Sequence, residues 1–371
     1  KQKEKKTNNV SWGKLRMKQV WYEWKKLISD KSVLLVVVLS MCIVLGYQWK
    51  NADSYAWQRN ESYREYYEDA LTTVEKMDAE TARQWLQEES AWQSFLLSAA
   101  YGDSDMAFEL LQMNAPEVDW NKRLKENANE KTDIQQTQQK YQAFTKLLER
   151  VNYAISYAEF LESVKTQAQS MSKLSLFSDV DSFSQKNIQK TAEAYEKMSS
   201  VQPGLTYSDA ADAWSDSALA DVIVPGLLLF LGWAIFRKEK EAGLYQLLGS
   251  TKRGHLEMAL AKTIVYFFFA VLLAILLYGS QIVLAILMYG TGDMTLALIS
   301  IPSFRNCPYP ISIQQYLILY LGVKVLAALF YASVIMAMLT RRWRFGIAAS
   351  ACVVVICLEY LAYDQINSVS K

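Results

Sequence analysis

Apolar residues in this chain gather into stretches near 20 residues, separated by polar ones. A helix of about 20 residues is what crosses a hydrocarbon core of about 30 Å. The pattern predicts a first span over Ser32–Tyr47, with Ser32 as its cap and Tyr47 and Trp49 as an aromatic belt at its far end. A second span is expected over Ala218–Phe236, containing Pro225. The third stretch, Met258–Tyr289, is longer than a bilayer needs. It is read as one helix rather than two broken at Gly279-Ser280-Gln281, because a break would put Arg341, Arg342 and Arg344 outside, against the positive-inside rule. A fourth span over Ile313–Leu339 and a fifth over Phe345–Tyr363 follow, with an outside loop, Thr291–Pro310, before the fourth.

Ahead of the first span, Met17, Val20, Trp21, Trp24, Leu27 and Ile28 form a helical stripe flanked by lysines. Tryptophans on an apolar face with lysines around it describe a helix lying in the membrane interface. Residues 51–217 lack alternating strands and long apolar stretches. Ile134, Thr137, Tyr141, Phe144, Leu148, Val151, Ile155 and Ala158 keep a three–four spacing that predicts a coiled-coil seam. Tyr63, Tyr66, Ala70 and Met77 give a shorter seam that could pack on it, and Asp78 or Thr81 starts another helix, carrying Trp85, Trp92 and Phe95. Residues 170–184 read as a Ser-rich bend before a helix over Gln185–Met198.

The expected fold is therefore an all-α polytopic membrane protein. It has an N-terminal arm and interfacial helix (1–31), a first transmembrane helix (32–49), a helical extracytoplasmic domain (50–217), and transmembrane helices two to five (218–371) with a cytoplasmic helix at 237–257.

Charge fixes the expected orientation. Lys and Arg number 39 against 38 Asp and Glu, but ten of the basic residues and only three acidic ones lie in the first 31 positions, while 51–217 has an acidic excess. This places the N-terminus in the cytoplasm of a multi-pass plasma-membrane protein. Nothing in the pattern suggests nucleic-acid binding. Four cysteines make neither a disulfide framework nor a zinc pattern, and the single His255 reads as a solvated loop residue. No metal site, nucleotide loop or nucleophile–base set is found, so no catalytic residue is expected. Position 1 is not Met, and a fragment or processed chain is expected. Lys324 and Glu359 fall within spans, where a charge costs about 2.5–3.5 kcal/mol on insertion scales. Lys324, with Gln281, is the better candidate for a pathway or interface role, while Glu359 lies near an outer end.

The segment Phe236–Lys262 is charged and helical in pattern, with one helix terminator, Gly249. Leu244, Leu247 and Leu248 share a face behind Glu239, Lys240 and Glu241, and Ser250 or Thr251 can cap the next helix. An interfacial loop and a coupling helix docking in a groove on a partner both fit.

This segment resembles the cytoplasmic loop of ABC exporter permeases of the type V fold. The matching features are Glu239 and Glu241, Gly243, Leu247 and Leu248, the turn Ser250, Thr251, Lys252, Arg253 and Gly254, and Lys262. The pairs Phe183-Ser184, Asn187-Ile188 and Lys190-Thr191 are similar to those in large-ectodomain permeases of gut Firmicutes. The resemblance implies a permease exporting peptides, drugs or other amphipathic molecules. It implies no cofactor in this chain, with ATP and Mg held by a separate ABC ATPase subunit, and a second permease half completing the pathway in the bilayer. Glu239 to Gly254, Leu244 included, would be the ATPase contact. That fold has six spans, so a sixth is expected beyond this chain. A mechanotransmitting permease is an alternative, against which an all-helical ectodomain counts; a membrane sensor or adhesion protein is another.

Overall fold

The computed structural model describes residues 18–52, 56, 60–102, 108–109, 111–112, 118–126, 133–173, 183–206, 208–215, 218–236, 254–340 and 345–370. Its helices are α1 (18–29), α2 (Lys31–Asn51), α3 (Glu61–Val74), α4 (Ala79–Ala100), α5 (Trp120–Glu126), α6 (Ile134–Lys173), α7 (Phe183–Met198), α8 (Ala210–Ser215), α9 (Ala218–Phe236), α10 (Gly254–Tyr289), α11 (Ile313–Thr340) and α12 (Phe345–Ser370). The chain is all-helical: among the described residues there is no strand, and only one isolated bridge, Ala297 to Ser312. Among the described residues, four stretches are long and apolar enough to cross a membrane: Lys31–Asn51, Ala210–Phe236, Glu257–Tyr289 and Ile313–Thr340. Where a fifth span was expected, α12 carries a shorter apolar stretch, Ala349–Leu358.

The chain divides into two compact units. The first comprises residues 1–51, 214–284 and 318–371. Its core gathers Val44, Ala220, Leu228, Leu231, Tyr266, Ala274, Leu277, Ala332 and Ile335. Helix α9 is the most enclosed, whereas α2 and α11 leave Leu35, Leu39, Val323, Leu326 and Phe330 exposed, the surface expected of helices meeting lipid. Gly232 lets α9 sit this deep: a Cβ there would come within 2.8 Å of Leu339 Cδ1 and 3.3 Å of the Tyr266 hydroxyl. Helix α10 runs unbroken through Gly279-Ser280-Gln281. The first span differs from expectation. It reaches Asn51, and its cap is Asp30, whose carboxylate accepts from the Ser32 amide at 3.1 Å and from the Ser32 hydroxyl. Asp30 stands just before the first helical residue, Lys31, where a side-chain oxygen reaches an orphan N–H, whereas Ser32 already lies within the first turn. On α1, Leu27 is buried and Trp24 meets Phe268 edge-on at 6.2 Å, while Trp21 and Ile28 are exposed.

The second unit comprises residues 52–213 and 285–317. Helix α6 is its axis, with α3, α4 and α7 packed along it. Asp78 starts α4: its carboxylate accepts from the Thr81 amide at 3.2 Å and the Thr81 hydroxyl at 2.7 Å. The expected coiled-coil seam does not describe the packing. Ile134 and Ala158 are exposed, Phe144, Leu148 and Ile155 are only partly buried, and the buried residues are Thr137, Gln139, Ala143, Leu147, Arg150, Val151 and Tyr157. On α3 the buried set is Tyr63, Tyr67, Ala70 and Val74, while the expected Tyr66 and Met77 pack against the same cluster only partly buried. A helix with neighbours on several sides buries more than one stripe, and its small Ala143 allows close approach where a two-helix seam would use Phe144. Trp92, Phe95, Leu111 and Trp120 form a separate apolar cluster, with the Trp92 and Trp120 rings stacked 6.0 Å apart.

Residues 285–317 fold into this unit as a strap between α10 and α11. The Leu298 amide donates to Ile311 and the Ile313 amide to Leu296, which folds the strap on itself. Side chains of α6 and α7 then hold it: Tyr153 donates to the Ile299 carbonyl at 2.6 Å and Tyr195 to that of Asn306 at 2.8 Å. The Arg305 guanidinium lies 4.5 Å over the Phe160 ring.

Candidate functional site

The expected ATPase contact, Glu239, Glu241, Gly243, Leu244, Leu247, Leu248, Ser250, Thr251, Lys252 and Arg253, lies outside the described residues. Gly254 opens α10. The helix ends on either side of 237–253 are described, and they are tied together. The Lys262 ammonium, buried at 5% exposure, donates to the Ile235 carbonyl at 3.1 Å. A cation on the last carbonyls of α9 satisfies an orphan acceptor and complements the negative end of the helix dipole. One turn further along α10, the Tyr266 hydroxyl donates to the Leu228 carbonyl at 3.0 Å, and its ring meets Phe236 edge-on at 5.5 Å. These bonds make the C-terminal half of α9 and the start of α10 one piece.

Lys324 is not left facing a pathway by itself. Its ammonium donates to both carboxylate oxygens of Asp221, at 2.7 and 2.8 Å. The Tyr278 hydroxyl donates to the same Asp221 Oδ1 at 2.7 Å. The ammonium also lies 5.2 Å from the Tyr278 ring centre and 5.4 Å from that of Tyr320, within cation–π range. Tyr320 in turn donates its hydroxyl to the Trp214 carbonyl at 3.0 Å. Asp221 sits in the first turn of α9, where the positive helix end favours a carboxylate. Four residues on, Pro225 lacks the N–H that would bond the Asp221 carbonyl. Tyr278 and Lys324 each lie six residues inside the limits of their unit, Leu284 and Ile318, which is about 9 Å of helix.

Gln281, one turn from Tyr278, is 3% exposed and faces Gln48 of α2. Gln48 donates its Nε2 to the Gln281 backbone carbonyl at 3.0 Å, and neither side-chain oxygen has a partner among the described residues. The two glutamines and the Asp221–Lys324–Tyr278 set thus draw α2, α9, α10 and α11 into one polar layer. Of the other expected polar candidates, Glu359 lies on α12, and its side chain is outside the described residues. Sequence reading found Lys324 and Gln281 but passed over Asp221, Tyr278 and Gln48. Asp221 and Gln48 lie near span ends, where polar residues are ordinary; only the helix register brings them to Lys324 and Gln281. Among the described residues no group of His, Cys, Asp and Glu has the arrangement of a metal site. Comparisons with protein families, with characterised proteins and with solved structures find no match to this chain.

Proposed function

We propose that this chain is the permease subunit of an ATP-driven exporter of the type V fold, set in the plasma membrane with its N-terminus in the cytoplasm. It acts with a separate ATPase subunit, which holds ATP and Mg, and with a second permease half. The segment 237–253 is the coupling element, and residues 51–213 form the outer domain. The observation that carries this reading is the Lys262–Ile235 bond at 3.1 Å, with Tyr266 behind it. A contact moved by ATP closure transmits force only if the two helices it feeds move as one, and this bond makes them do so. The all-helical second unit counts against a mechanotransmitting permease, whose outer domain is mixed α/β. The Asp221–Lys324–Tyr278 layer supplies a polar contact across helices that must part and rejoin along a pathway.

Two substitutions separate docking from transmission. Gly243→Trp is expected to abolish copurification of the ATPase subunit while leaving membrane insertion intact. Lys262→Met is expected to keep the ATPase bound but lower ATP-dependent efflux of an amphipathic dye at least severalfold. Wild-type copurification and efflux in both variants, at wild-type protein levels, would reject the reading and leave 237–253 an interfacial loop.

A further inference from the structure

A groove of about 470 Å³ opens between two apolar clusters of the second unit. The α3–α4 corner, the middle of α6 and residues 199–205 enclose it, with Val74, Val151, Ile155, Leu161, Val201 and Leu205 on its walls. The volume is in the range of small-molecule sites, about 300–1,000 Å³, and so is the largely apolar lining with a few polar groups. Those groups are Ser199, Gln202, Tyr157 and Glu75. Tyr157 is 1% exposed, and its hydroxyl has no partner among the described residues. Glu75 is exposed, and it is the charged group among the described lining residues. The surrounding residues 51–217 are acidic in excess, which concentrates cations at the rim.

We propose that this groove binds a small amphipathic cation, its apolar body among Val74, Val151 and Ile155 and its charge at Glu75. The site lies outside the polar layer of the first unit and stands whether or not the chain transports. Its position also gives it a readout. Pro203 and Leu205 line the groove, and Gly204 between them is pressed on the strap: its amide donates to Ser300 Oγ at 2.9 Å, and a Cβ would fall 2.5 Å from Leu296 Cδ2. An occupant that shifts 203–205 therefore shifts the strap joining α10 to α11.

The test uses the full chain in nanodiscs without an ATPase subunit, with equilibrium dialysis of tetraphenylphosphonium and of tetraphenylborate against empty nanodiscs. The two ions share a shape and differ in sign. Saturable binding of the cation only is expected. Ala158→Trp, at an exposed position lining the groove, should weaken it at least tenfold. Glu75→Gln, on the surface and so harmless to folding, should weaken it about fivefold, the scale of an exposed ion pair. Equal binding of both ions, no saturable binding of the cation, or an affinity untouched by both substitutions would overturn the proposal.

Discussion

Each unit of this molecule sets a cation against a carboxylate and a tyrosine, and the two arrangements differ in kind. In the second unit Arg150, 5% exposed, donates to the Tyr67 hydroxyl, to the Leu205 carbonyl at 3.3 Å and to Asp209 Oδ1 at 2.8 Å. Its planar fork divides among three acceptors, one on α3 and two within residues 205–209, and the Tyr67 ring backs it at 5.1 Å. In the first unit Lys324 aims two bonds at one carboxylate. A guanidinium with several fixed acceptors is a staple, because no single movement releases it. Lys324 sets an ammonium on a flexible stem against the Asp221 carboxylate, with the Tyr278 and Tyr320 rings beside it, and a point charge separates from its partner more readily than a divided fork. Burial, more than Arg150 and Asp209 beside it, sets Tyr67, pushing it up to about 12, so the staple keeps its protonation through the neutral range. The difference assigns rigidity to the second unit and a separable contact to the helices of the first.

The comparison breaks most clearly at Arg150. Arg150→Met should cost about 3 kcal/mol, the low end for stripping one partner from a buried pair, since Asp209 is partly exposed and regains water. Thermal unfolding of the full chain in detergent measures it, and Arg150→Lys should restore only part, because an ammonium cannot span the three acceptors. A fully restored Lys variant would reduce the staple to a simple charge pair.

Next in size is Lys324→Met, expected to cost roughly 1–3 kcal/mol by leaving Asp221 among apolar helices. Adding Asp221→Asn should recover most of that loss, as the amide can still accept from Tyr278. If the double variant is no more stable than the single one, the pair is not the separable contact described above.

Smaller effects test how tightly each unit is packed. Gly232→Ala in the first unit and Gly204→Ala in the second each place a Cβ under 3 Å from a leucine methyl. Each is expected to cost about 1 kcal/mol, since the leucine end can give way. Melting shifts of similar size are expected, and no shift at Gly204 would mean that the strap is looser than its hydrogen bond to Ser300 implies.

The smallest effect concerns the α4 cap. Thr81, by its hydroxyl and its amide, holds the Asp78 carboxyl below the usual carboxylate range. Its folded pKa is depressed, so its contribution is present above the unfolded pKa and fades as pH falls through the folded one. Asp78→Asn should keep the cap and flatten that acid-side fall, seen as melting temperature against pH between about 5 and 2. An unchanged slope would show that other carboxylates carry the pH dependence.

The linear sequence by itself determined the helical class and the places of the four long apolar helices. Those rest on local composition and on the length of apolar runs, which no distant residue alters. It also marked Lys324 as out of place, because the cost of a charge in a long apolar run is a local fact. Asp78 at the start of α4 was legible for the same reason: a cap bonds a residue three positions away. Tertiary structure alone decided the rest. That Asp221 answers Lys324 across 103 positions, and Gln48 answers Gln281 across 233, depends on helix rotation and register. The periodic stripe on α6 named Phe144 and Leu148, while packing on several sides chose Ala143 and Leu147. Periodicity reports one apolar face, and a central helix answers to all its neighbours at once. Residues 291–310 read in sequence as a loop between spans, and contacts from far away in the chain, Tyr153, Tyr195 and the Phe160 ring under Arg305, make the strap part of the second unit.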